Sequence, residues 1–122
     1  MSTKILSIVT ISYNNPIDLH KTLTSTAPIV NCFNCIEQIV IDGSKNDSCQ
    51  KVLLNFPWVG KNLFERDNGK FDAMNKGISL ASGHYTLFIN SGDELYFSPC
   101  FERLIKNIHK FDDGFIIYGD VI

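Results

Sequence analysis

The feature that most restricts the fold is an alternation along the chain. Short, continuous runs of Val, Ile, Leu and Phe are separated by longer segments whose apolar residues recur at helical spacing. Residues 5–12 read ILSIVTIS, residues 38–41 read QIVI and residues 85–89 read YTLFI. Residues 62–65 and 115–118 are two further strand candidates. Strands that are apolar along their whole length are covered on both faces, as in parallel sheets. Strands that alternate with helices therefore predict an α/β protein, with a mainly parallel sheet and helices on both faces.

The helices carry their own signals. Asn15 can cap a helix with Pro16 at its first position, and that helix carries Ile17, Leu19, His20, Leu23 and Thr24. Asp47 or Ser48 caps a second helix through Val52 and Leu53. After a turn at 66–69, Phe71, Met74, Ile78 and Ala81 recur at helical spacing and predict a buried stripe, with Gly83 closing the helix. Asn75 and Gly77 are poor formers in its middle, which points to close backbone approach or a side chain held in a specific bond. Ser98 and Pro99 open a last helix, with Phe101, Leu104, Ile105 and Ile108 inward.

In an open parallel sheet, ligands sit outside the carboxyl ends of the strands. That rule selects Tyr13-Asn14, Asp42-Gly43-Ser44, Asp67-Asn68-Gly69 and Asn90-Ser91-Gly92-Asp93. Tyr13 can stack on a base or simply rim the sheet. Asp42 can accept a hydrogen bond from a base or ribose, or it can turn the chain toward the next helix; position alone leaves both open. Asp93 lies in a small polar turn, and hard divalent cations take carboxylate oxygens.

Bulk properties narrow the class. The 122 residues suit one domain, 1–122. With 44% hydrophobic residues, 20% charged residues and a net charge of -2, the chain can bury a core and has no basic stripe for nucleic acid. Its start lacks the apolar core and cleavage site of a signal peptide, and no run is long enough for a bilayer. The expectation is a cytoplasmic protein without membrane association of its own. Cys32 and Cys35 form a lone C-x-x-C with no second pair, so reduced thiols are expected rather than zinc. There is no G-x-G-x-x-G, no phosphate-binding P-loop and no G-x-S-x-G.

Four segments together resemble the N-terminal half of a family 2 glycosyltransferase of GT-A type, a Rossmann-like fold. They are SIVTISYNN at 7–15, IVIDGSKND at 39–47, DNGKFDAMNKGI at 67–78 and GHYTLFINSGDEL at 83–95. The nearest flavour is that of bacterial enzymes building exopolysaccharide or lipopolysaccharide. The resemblance implies transfer of a sugar, with inversion, from a nucleotide-diphosphate sugar to an acceptor hydroxyl on a saccharide or lipid-linked acceptor. It implies nucleotide-sugar contacts from Thr10, Tyr13, Asp42, Asp67, Gly69 and Asn75. It also implies Mn2+ or Mg2+ on Asp93, the last position of the family's D-x-D-D segment.

The chain departs from that pattern at Asn90 and Gly92, where acids are usual, and at Met74, where relatives often carry Arg. Family members are longer, so the acceptor half and the general base are expected beyond residue 122. An uncovered apolar surface would then favour homo-oligomers. A rival reading is a non-catalytic nucleotide-sugar-binding or scaffolding module of the same fold. A receiver domain fits the size, but Tyr13-Asn14-Asn15 offers no acidic pair and Gly119-Asp120 no lysine.

Overall fold

The computed structural model describes residues 4–96 and 98–107. The predicted strand at 115–118, together with Ile108 and Asp120, lies outside the described residues. The elements run β1 (Leu6–Ser12), α1 (Pro16–Cys32), β2 (Ile36–Asp42), α2 (Ser48–Val52), β3 (Lys61–Phe64), α3 (Lys70–Leu80), β4 (Tyr85–Phe88) and α4 (Pro99–Asn107). A single 3-10 turn, Leu53–Asn55, follows α2. All described strand pairs are parallel, in the order β3-β2-β1-β4. The alternating pattern thus builds the sheet it predicts. No described helix is long and apolar enough to cross a membrane.

The two-residue period of a strand decides which side chains face which helix. Leu19 and Leu23 of α1 pack with Val40, Cys49 and Phe56 on one face of the sheet. Ala73 of α3 packs with Val9, Ile39 and Ile41 on the other. Leu6, Ile8, Ile29, Ile36, Ile89 and Ile105 form a third cluster toward α4. α1 starts as its sequence dictates: Asn15 Oδ1 accepts from the Asp18 N–H at 3.1 Å and Pro16 follows.

α3 corrects the sequence reading. Phe71 is 78% exposed and Ile78 52% exposed, so the predicted stripe is not the buried one. Ala73 and Gly77 are buried instead. The reason is distance: a Cβ on Gly77 would lie 2.5 Å from Val9 Cγ1, so the helix rests on β1 at a separation that small residues alone permit. This is the close approach that Gly77 predicts, whereas Asn75 points outward and is exposed. Gly77→Ala should destabilise the fold by about 1–3 kcal/mol through overpacking, despite alanine's better helix propensity. A urea denaturation midpoint measures it; an unchanged midpoint would show that β1 and α3 can separate freely. The helix also stops earlier than expected, at Leu80. Gly83 lies beyond it, against β1, where a Cβ would come within 2.7 Å of the Ser7 nitrogen.

At the amino-terminal edge of the sheet, a buried polar cluster ties α3 down. Glu37 is 7% exposed and accepts from Ser7 Oγ at 2.6 Å and the Ser82 N–H at 2.7 Å, with Lys61 Nζ 3.2 Å away. Lys61 Nζ also donates to the Leu80 carbonyl at 2.6 Å, placing a cation on the negative end of α3. Burial pushes the Glu37 carboxyl up. The Ser7 hydroxyl, the Ser82 N–H and Lys61 outweigh it and hold the group below its ordinary value.

Candidate functional site

At the opposite edge, where β1, β2 and β4 end, a cleft of about 590 Å³ opens. Ile11 and Tyr13 line it from β1, Asn15 and Asp18 from the start of α1. Asp67, Gly69, Lys70 and Ala73 line it from the β3–α3 turn and α3, and Asn90 and Ser91 from the end of β4. This is the edge at which a parallel sheet is expected to take a ligand.

The loops around it are stitched together by side chains. Asn14, with φ of 53°, gives its N–H to Ser44 Oγ at 2.7 Å, and its Oδ1 accepts from the Lys45 N–H at 2.9 Å. The pairing of β1 with β2 thereby continues beyond the strands. Cys49 Sγ, beneath this seam, is approached by Ser12 Oγ at 3.3 Å and Ser44 Oγ at 3.4 Å. Cys32, Cys35 and Cys49 are free thiols.

Tyr13 lines the cleft at its rim and is 54% exposed. Asp67 sits deeper. Its Oδ1 accepts from the Gly69 N–H at 3.1 Å, and its Oδ2 covers Gly43 so closely that any side chain at 43 would collide with it. Gly69 has φ of 103°, a conformation that favours glycine, and supplies no side-chain cap to α3. Gly69 and Lys70, which open α3, line the cleft, and the helix start carries no side-chain cap, which suits an anion.

A cationic staple holds the β3–α3 turn in place. Lys76 Nζ donates to the Arg66 carbonyl at 2.8 Å and lies 3.1 Å from Glu65 and 3.3 Å from Asp72. Partial burial pulls the Lys76 pKa down, but Glu65 and Asp72 outweigh it and raise the group above the ordinary lysine value. Asp72 accepts from the Asn68 N–H at 2.8 Å; that bond, with Lys76, lowers its carboxyl.

Three of the residues expected to contact the nucleotide-sugar stand outside the cleft wall. Thr10 is fully buried on the α1 face, where its Oγ1 accepts from Gln38 Nε2 at 3.0 Å. Asp42 is also fully buried on that face. Its Oδ1 accepts from the Ser44 N–H at 3.0 Å and its Oδ2 from Gln50 Nε2 at 2.9 Å. Strand parity explains both positions: Thr10 and Asp42 share the side of Val40, while the opposite side carries Ile11 into the cleft. Asn75 faces outward on α3 and its carbonyl accepts from Ser79 Oγ at 3.1 Å.

Asp93 is exposed and is not among the cleft-lining residues. The turn around it is held through its backbone. Thr22 Oγ1 donates to the Asp93 carbonyl at 2.7 Å and accepts from the Gly92 N–H at 2.8 Å. Asn15, Asp18 and Lys70 line the cleft but escaped the sequence reading, because each also fits an ordinary role at a helix start. Among the described residues, no three His, Cys, Asp or Glu side chains gather closely enough to hold a metal by themselves.

Parallel α/β sheets with such a cleft at their carboxyl edge form a class of nucleotide-binding folds. The chain belongs to glycosyl transferase family 2, whose sequence profile matches residues 7–119. It is 33% identical over 90 residues to a PGL/p-HBAD biosynthesis glycosyltransferase of Mycobacterium bovis, covering 70% of this chain and 35% of that protein. Its fold superposes on S. aureus TarS 1-349 with a TM-score of 0.71 at 20% identity, over 87% of this chain and 32% of that one. It also superposes on the mannosyltransferase PcManGT of Pyrobaculum calidifontis, solved with GDP-Man and Mn2+ (TM-score 0.71, 15% identity, 83% of this chain, 31% of that one). The fold is that of GT-A glycosyltransferases. The chain spans about a third of the length of these relatives. Membership in this family displaces the receiver-domain reading.

Proposed function

We propose that the cleft binds a nucleotide-diphosphate sugar and that the chain is the donor-binding portion of an inverting glycosyltransferase of bacterial surface polysaccharide or glycolipid synthesis. The observation that carries this is the cleft itself: one aromatic rim, one deep carboxylate and one cationic helix start on a shared wall. Tyr13 stacks on the base. Asp67, fixed by Gly69 and Gly43, accepts hydrogen bonds from ligand hydroxyls. Lys70 and the uncapped start of α3 meet the diphosphate. Thr10 and Asp42 act from behind, by holding β1 and the 43–45 loop where the donor needs them. Asn75 lies on the outer face of α3 between the exposed Phe71 and Ile78, away from the cleft-lining residues.

A divalent cation, when bound, neutralises charge on the leaving diphosphate. The oxygen donors at the end of β4 fit a hard cation whose remaining ligands come from the substrate. Among them, Ser91 Oγ is buried with no hydrogen-bond partner among the described residues. Two relatives frame the choice of donor: PcManGT was solved with GDP-Man, and TarS 1-349 with UDP-GlcNAc.

Calorimetry with UDP, GDP, UDP-GlcNAc and GDP-Man, with and without Mn2+, tests the proposal. One nucleotide series should bind, and Gly43→Ala, which pushes the Asp67 carboxylate aside, should weaken binding about tenfold or more with little change in melting temperature. That loss corresponds to about 1.4 kcal/mol. Absence of binding by all four ligands would reject the proposal. The non-catalytic reading is favoured by the neutral Asn90 and Gly92. It predicts the same binding with no release of free sugar from the bound donor when Mn2+ is present.

A further inference from the structure

We infer that the carboxylate meeting the cation at the β4 end of the cleft is Asp18 of α1, rather than an acid of the turn after β4. The inference deepens the proposed donor site and rests on that reading for its substrate, though its metal chemistry can be tested alone.

Three observations converge on Asp18. First, it lines the cleft beside Asn90 and Ser91, whereas Asp93 does not. Second, Asp18 fills the space of the missing acid. A side chain at position 92 would begin 3.1 Å from Asp18 Oδ2 and 3.3 Å from its Cγ. Gly92, with φ of 102°, is therefore matched to Asp18: the turn gives up a side chain where the helix delivers a carboxylate. The backbone locks this arrangement, since the Gly92 N–H also reaches the Asp18 carbonyl at 3.2 Å.

Third, the surroundings leave coordinating capacity. Asn15 Nδ2 donates to Asp18 Oδ2 at 2.8 Å, which orients the group while its other oxygen remains for a ligand. Ser91 lines the same wall, and its Oγ, buried and unpartnered among the described residues, reaches a ligand by rotation about χ1. Asn90 adds an amide oxygen. One carboxylate, one hydroxyl and one amide form an all-oxygen set with a single negative charge. Hard cations accept such a set when a diphosphate supplies the rest. The departures at Asn90 and Gly92 then mark a carboxylate relocated to α1, and the cation chemistry survives.

The test uses Mn2+ alone on the 15N-labelled 122-residue chain, reading paramagnetic broadening of amide signals. Broadening should centre on Asp18, Ser91 and Gly92. Asp18→Asn should reduce the Mn2+ affinity about tenfold or more, the scale on which metal sites respond to lost support. Asp93→Asn should leave it unchanged. The double variant Asp18→Asn with Asn90→Asp should restore broadening, because the carboxylate returns to the turn. The inference is overturned if Asp18→Asn broadens like the parent chain, if Asp93→Asn abolishes broadening, or if no amide near the cleft responds. Amide spectra of each variant report folding directly. Failure to bind nucleotides would reject the donor reading and leave this metal result to stand or fall separately.

Discussion

Glu37→Ala is expected to lose about 2–3 kcal/mol of stability, one of the two largest effects of any single side chain considered. The change leaves the Ser82 N–H, the Ser7 hydroxyl and the Lys61 ammonium without their shared acceptor, and buried groups left unpaired cost that much. Domains of this kind hold only about 5–15 kcal/mol in total. The pH dependence follows from the direction of the Glu37 shift. Its carboxyl is held below its ordinary unfolded value in the folded chain. The stabilisation is therefore full above that value and is lost as pH falls through the lower folded value. Urea midpoints measured from neutral pH downward should show an acid decline that Glu37→Gln flattens. An identical decline in both proteins would place the acid sensitivity elsewhere.

Asp42→Ala should also cost about 2–3 kcal/mol, because it strips the Ser44 N–H and Gln50 Nε2 of a fully buried acceptor. Nucleotide affinity should fall with it, since the 43–45 loop carries Gly43 under Asp67. Asp42→Asn keeps the shape and one acceptor oxygen, so both losses should be smaller. Parallel measurement of unfolding and nucleotide binding separates the two roles open to this residue. A direct contact with the base would cost affinity at unchanged stability; support from behind moves both together.

These two acids show which parts of the fold and site can be read from sequence. The strand ends were legible because continuous apolar runs stop at Tyr13, Asp42 and Asn90, and a parallel sheet gathers those ends on one edge. Facing was harder. Asp42 and Thr10 belong to the α1 side by strand parity, and only the paired register of β1 with β2 makes that parity visible. The stripe on α3 misled for a related reason. Helical spacing marks Phe71 and Ile78 as one face, but Ala73 and Gly77 allow the helix to sit closest to β1. Close packing rewarded small residues over large ones there. Asp18 was hidden by its own ordinariness, since an acid in the first turn of a helix already has a local explanation.

The strand order has a consequence for how the chain comes together. β1 emerges first, yet it lies inside the sheet, between β2 and β4. Its partner on one side begins at Ile36, but the strand that seals its other edge begins only at Tyr85. Until then Leu6–Val9 presents an open, apolar edge able to pair with other chains. The slow event in folding is accordingly expected to be the late arrival of β4, since distant pairings must pay loop closure before they gain contacts. β1 pairs early on one edge and stays unfinished on the other until the β4 turn docks onto α1.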